Sequence, residues 1–202
     1  MTGKPTLDRV RQVTENYFFW QGLRWIPPGF LLVAAGLSWS DGWPLTGVAS
    51  DAVLLAVIVI GVLASTVIGR HYRRVFGQVQ GIPGQHQRRN TIKWALVYPA
   101  MAASLVIDGL FEPQFFISGL VWGASVTAYW WSTGRGRPHY LIAAAILFAF
   151  AFLPVAGLVA AGRPILSFFF VVMGGIYIVG GVLDHLELRK VLPPIPPDGE
   201  HP

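Results

Sequence analysis

The chain contains no cysteine. Disulfides, thiolate nucleophiles and Cys-ligated zinc or iron–sulfur clusters are therefore excluded. Charge is scarce too. Asp, Glu, Lys and Arg make up 12% of the residues, against roughly 25% in a soluble domain. Gly-x-Ser-x-Gly, His-Glu-x-x-His and Asp-rich metal motifs are all missing. An enzyme site would need carboxylates or histidines converging near an interface, and only scattered Asp and His are available. The reading is accordingly non-enzymatic, with no cofactor.

What fills the chain instead is apolar: 53% of its residues are hydrophobic. A membrane-spanning helix needs roughly 20 predominantly apolar residues. Six stretches approach this, at 20–39, 52–69, 91–107, 115–131, 140–161 and 165–183. They predict an all-α, polytopic transmembrane bundle at 25–190. An amphipathic helix precedes it within 1–24, and a Pro-rich tail follows at 191–202. The first stretch is the least regular. It holds Arg24, which can snorkel to the headgroups between Trp20 and Trp25, and Pro27-Pro28, which should restart the helix. The third holds Pro99, tolerated where neighbours satisfy the freed carbonyl. Omitting the first stretch would leave five spans, with the termini on opposite sides.

The polar ends set the orientation. Lys4, Arg9, Arg11 and Arg24 precede the first span. Arg70, Arg73, Arg74, Arg88 and Arg89 follow the second, Arg135 and Arg137 the fourth, and Arg189 and Lys190 the sixth. The alternate links carry Asp41 and Asp51, then Asp108 and Glu112, then Arg163 alone. Basic residues thus gather on one side, which places both termini in the cytoplasm, in a cell (inner) membrane. The net charge of +5 then meets anionic lipid headgroups rather than nucleic acid, because the basic residues lie between apolar runs. Residues 1–15 show no cleavable signal pattern, so the first span is expected to remain as an anchor. Residues 6–21 place Leu7, Val10, Thr14, Tyr17, Phe18 and Gln21 on one helical face, as in interfacial helices.

Four groups of residues stand out. Ser167, Gly174 and Gly181 are seven apart and share one face of the sixth span. Small residues there let another helix approach closely. Packing within the chain is the ordinary reading, and a homodimer seam or ligand cleft is the alternative. Asp184 and His185 follow on the same helix. Asp184 has no helical ion-pair partner, unlike Glu187 with Lys190, so it is expected to turn inward towards Arg70, Arg73 or Arg135. The link at 70–93, opening Arg70-His71-Tyr72-Arg73-Arg74, suits lipid headgroups or a soluble docking partner and lacks any P-loop or dinucleotide fingerprint. His71, His139 and His185 fall at one predicted depth. They could hold a metal or haem, but interfacial placement is the simpler account. Arg70-His71-Tyr72, Arg137-Pro138-His139-Tyr140 and Asp184-His185 also give the three inner exits a shared rhythm.

Two motifs, Tyr72-Arg73-Arg74-Val75-Phe76-Gly77-Gln78-Val79 and Gly180-Gly181-Val182-Leu183-Asp184-His185, resemble a group of uncharacterised bacterial multi-pass membrane proteins. Members are often encoded beside a winged-helix regulator. The resemblance covers about a tenth of the chain. It implies a membrane sensor, or an anchor for a cytoplasmic regulatory partner, with no catalytic residues to transfer. Two alternatives remain: a small transport subunit like the six-span permeases of ABC exporters, and a membrane enzyme acting on lipid.

Overall fold

The computed structural model describes residues 21–40, 48–75, 85–111, 113–134, 137–160 and 163–191, with backbone only at 48–50, 85–94 and 133–134. These residues form six α-helices and no strand. A 3₁₀ turn, Gly22–Trp25, leads into α1 (Ile26–Ser38). Then come α2 (Val48–Val75), α3 (Gln85–Phe111) and α4 (Ile117–Tyr129). A π turn, Trp130–Gly134, extends α4. The chain closes with α5 (His139–Phe150) and α6 (Arg163–Val191). The amphipathic helix predicted at 6–21, Asp41, most of the link between α2 and α3, Arg135 and the Pro-rich tail lie outside the described residues.

Proline explains two helix boundaries. Pro27 and Pro28 occupy the first turn of α1, where backbone N–H groups have no intrahelical partner to lose. The helix restarts there after the 3₁₀ turn. At the other boundary, α5 stops at Phe150, four residues before Pro154. That proline cannot donate to the Phe150 carbonyl and its ring collides with it. The fifth stretch, predicted as 140–161, is therefore helical over only 12 residues, about 18 Å at the helical rise. The chain continues as turns, with Gly157 at φ 67°, a conformation that glycine adopts without strain.

Among the described residues, two helices, α2 over Asp51–Val75 and α6, are long and apolar enough to cross a membrane. The apolar parts of α3 and α5, Ala95–Phe111 and His139–Phe150, are shorter. The two long helices differ in surroundings. In α6, ten residues are buried, spread from Ile165 to Val191. Along residues 51–75 of α2, only Gly69 and Tyr72 are buried, while Leu55, Ile60, Val62, Leu63 and Val67 are each more than 60% exposed.

Helix α6 joins the parts of the bundle. One face packs against α1 and the 3₁₀ turn, and α2 lies along the far side of α1. The other face meets the α3–α4–α5 group. Phe169 centres the apolar core there, in edge-to-face contact with Phe116, Trp122 and Phe150 at 5.0–5.9 Å. Leu147, Ile165, Leu166 and Met173 close around these rings.

Asp108, an outer-end acid in the sequence, has a structural role. It is 1% exposed, and its two carboxylate oxygens accept the N–H groups of Ile117 and Ser118 at 2.8 and 2.6 Å. A carboxylate from α3 thereby caps α4, where orphan donors and the positive end of the helix dipole favour an anion.

Candidate functional site

The α1–α6 contact is built from small residues on both helices. A β-carbon on Gly174 would lie 2.5 Å from the Gly29 carbonyl oxygen. One on Gly181 would lie 2.6 Å from the Gly22 oxygen, and one on Gly36 would lie 2.6 Å from the Ser167 oxygen. Ser167 Oγ also donates to the Gly36 carbonyl at 2.6 Å. Gly22, Gly29 and Gly36 thus form a stripe with the same seven-residue spacing as Ser167, Gly174 and Gly181, and the two stripes meet antiparallel. The sequence reading singled out only the α6 half. The ordinary reading, packing within the chain, matches the contacts: α1 and the 3₁₀ turn lie against the stripe.

This close approach brings the 3₁₀ turn against the last turns of α6. The β-carbon position of Gly22 is 2.8 Å from both Asp184 Cβ and the His185 nitrogen. Two polar chains form beside it. In the first, the Leu23 N–H donates to Tyr72 Oη at 3.2 Å, and Tyr72 Oη lies 2.8 Å from His185 Nδ1. Which of the two donates follows the tautomer of the imidazole. Tyr72 is fully buried, and this ties the end of α2 to α6 and to the 3₁₀ turn.

The second chain centres on Asp184, 1% exposed. Arg137 Nη1 donates to Asp184 Oδ1 at 2.9 Å, with both side chains 1% exposed. His139 Nε2 lies 3.1 Å from the same oxygen. A carboxylate can only accept, so Nε2 carries the hydrogen. The Tyr140 hydroxyl donates to Oδ2. Arg137 also reaches Tyr129 Oη at 3.3 Å, and its guanidinium sits 4.9 Å from the Tyr140 ring centroid and 5.7 Å from that of Tyr129. Burial works against the Arg137 charge, but Tyr129, Asp184 and Tyr140 around it outweigh that and raise its pKa. A hydrogen-bonded, ring-sandwiched pair of this kind compensates the desolvation that two buried ions otherwise suffer.

The sequence reading placed Asp184 inward, and the structure does too. Its expected partners, Arg70, Arg73 and Arg135, are corrected. Arg70 and Arg73 are exposed on α2, Arg135 lies outside the described residues, and Arg137 makes the pair. Arg137, Tyr140 and Tyr129 were missed as a site, and His139 was named only with His71 and His185. Their one signal was the shared rhythm: the tyrosine of each His-Tyr pair lands on one member of Asp184-His185. Of the residues named for docking, Arg70, His71, Arg73 and Arg74 are exposed, whereas Tyr72 and Asp184 are buried. The three histidines separate as well. His139 goes to Asp184 and His185 to Tyr72, and among the described residues no three His, Asp or Glu gather as a metal set.

A cavity of about 140 Å³ adjoins this cluster, between α3, α4 and α6, with Asp184 and Tyr140 at one end. Trp25, Tyr98, Trp122 and Tyr177 form much of its wall. The arrangement has two chemical parts: a hydrogen-bonded knot tying α2, the 3₁₀ turn, α4, the start of α5 and α6, and an aromatic chamber beside it. Compared with known proteins, the chain matches no family model, no curated protein and no solved structure.

Proposed function

We propose that the chain is a six-span membrane protein with both termini in the cytoplasm. In this reading it is not an enzyme but a sensor or anchor for a cytoplasmic regulatory protein. Helix α2 supports the membrane part. Large apolar side chains are exposed on it from Leu55 to Val67, and a soluble monomer rarely shows an apolar surface of that extent. Lipid removes the conflict, since the helix satisfies its own backbone.

The observation that carries the functional part is a convergence at one end of the bundle. Arg70, Arg73 and Arg74 on α2 and Arg189 and Lys190 on α6 are exposed around the buried Asp184 and His185 contacts. Asp51 and Arg163 mark the opposite ends of the same two helices. Basic residues on one side orient the protein with that end inward, where they meet anionic headgroups and an acidic partner surface. The knot holds α2, the 3₁₀ turn and the start of α5 to α6, so its state fixes how the basic face is presented. A winged-helix regulator, the class implied by the two sequence motifs, is the proposed partner.

Charge reversal tests this. The triple variant Arg70→Glu, Arg73→Glu, Arg74→Glu should melt like the parent, because all three side chains are exposed. It should lose the partner that co-purifies with the parent in mild detergent, while Arg163→Glu should keep it. A parent chain that always emerges alone, or a partner indifferent to the three reversals, would count against the reading.

A further inference from the structure

We infer that the cavity beside Asp184 binds a small, uncharged ring compound bearing a hydroxyl group, of the phenol or hydroquinone class, with that hydroxyl on the Asp184 carboxylate. Size sets the first limit. The cavity measures about 140 Å³, close to the roughly 150 Å³ of an apolar cavity that takes up benzene. One ring fills it. Shape and surface set the second. Trp25, Tyr98, Trp122 and Tyr177 line it, and flat aromatic walls favour a flat, apolar guest through stacked and edge-to-face contact.

Charge sets the third limit. Among the described residues, Asp184 is the only carboxylate in the wall, and Arg137 already matches it at 2.9 Å. A cationic or anionic guest would bring a buried net charge with no counter-ion, so a neutral guest is preferred. Hydrogen bonding sets the fourth. Asp184 Oδ1 takes two donors, Arg137 and His139, but Oδ2 takes Tyr140 alone among the described residues. A carboxylate oxygen has two lone pairs. One acceptor position therefore remains on a 1% exposed side chain that lines the cavity, and a hydroxyl donor suits it.

The ring could reach the site as a free phenol or as the head of a lipid-tailed hydroquinone. The inference gives the sensor reading its ligand. Binding is measured on the purified full chain alone, so its failure is separate from failure to recruit a partner. Titration calorimetry in lipid nanodiscs would compare phenol, benzene, benzoate, benzylammonium and a tailed hydroquinone. Phenol should bind saturably, and benzene about tenfold or more weakly, because a site built to receive a hydroxyl is left unsatisfied without one. Both ions should bind more weakly still. A tailed hydroquinone tighter than phenol identifies a membrane-borne source, and equal affinity a free one. Gly180 lines the cavity, and no atom stands within 4 Å of its β-carbon position. Gly180→Leu should therefore fill the chamber and weaken phenol by tenfold or more without lowering the melting temperature. The inference is overturned if benzene matches phenol or if either ion binds as tightly as phenol. Unchanged binding in a folded Gly180→Leu protein would overturn it as well. The benzene and ion comparisons need no variant.

Discussion

Asp184→Ala should destabilise the bundle by about 3–5 kcal/mol, the usual consequence of removing one partner from a buried ion pair. The cost comes mostly from what is left behind. Arg137, 2% exposed, would lose its bond to the Asp184 carboxylate, and the hydrogens of His139 Nε2 and the Tyr140 hydroxyl would lose their acceptor. Removing both charges should do far less harm than removing one. The double variant Arg137→Met, Asp184→Leu is expected to recover most of the loss, because apolar groups of similar volume often replace a buried pair at little cost. Thermal unfolding in detergent of the parent, the two single variants and the double variant closes the cycle. A strong favourable coupling between the substitutions supports the knot as described. Additive losses would mean that the two side chains do not act as a pair. Damage should begin at the Asp184 end, since the Phe169 cluster is built from other residues.

The second large effect separates two adjacent glycines. Gly174→Ala should cost about 1–3 kcal/mol or more, the range for overfilling a packed site. Its β-carbon would stand 2.5 Å from both the Gly29 carbonyl oxygen and Val33 Cγ2. Backbone is the obstacle at the first contact, so α1 would have to move away from α6. Gly175→Ala should be neutral or should stabilise by up to about 1 kcal/mol, because alanine favours the helix and no atom lies within 4 Å of its β-carbon position. The two substitutions change composition and helix propensity identically, so only the facing surface differs. Melting temperatures of the two variants in the same detergent decide the matter. Similar values would contradict the close antiparallel contact of the two stripes.

The α6 stripe was visible in the sequence because spacing alone shows which residues share a helix face. Spacing does not show what covers the face. The matching stripe at Gly22, Gly29 and Gly36 obeys the same arithmetic, but 3₁₀ geometry, two prolines and Arg24 obscured the first helix as a packing partner. Asp184 could be read as turned inward from its missing helical partner. Arg137 could not be chosen over the other arginines, since 47 residues separate the pair and only folding brings them together. All six apolar stretches correspond to helices, but their lengths were less legible. Helix α2 runs on through the polar residues to Val75, so that Tyr72 is on a helix rather than in a link. Helix α5 ends early at the residue that Pro154 obstructs. The Arg-His-Tyr rhythm was the most informative signal: Tyr72, Arg137, His139 and Tyr140 bond Asp184 or His185, while Arg70 and His71 are exposed.

The absence of cysteine makes one topology measurement especially clean. Single substitutions Asp51→Cys, Arg74→Cys, Arg163→Cys and Arg189→Cys place one thiol near each end of α2 and α6, all at exposed positions. In intact cells, a membrane-impermeant maleimide should label residues 51 and 163 directly, and residues 74 and 189 only after the membrane is opened. Labelling of 51 and 74, or of 163 and 189, from the same side of a sealed membrane would contradict the crossing of these helices and the basic inner face built on it.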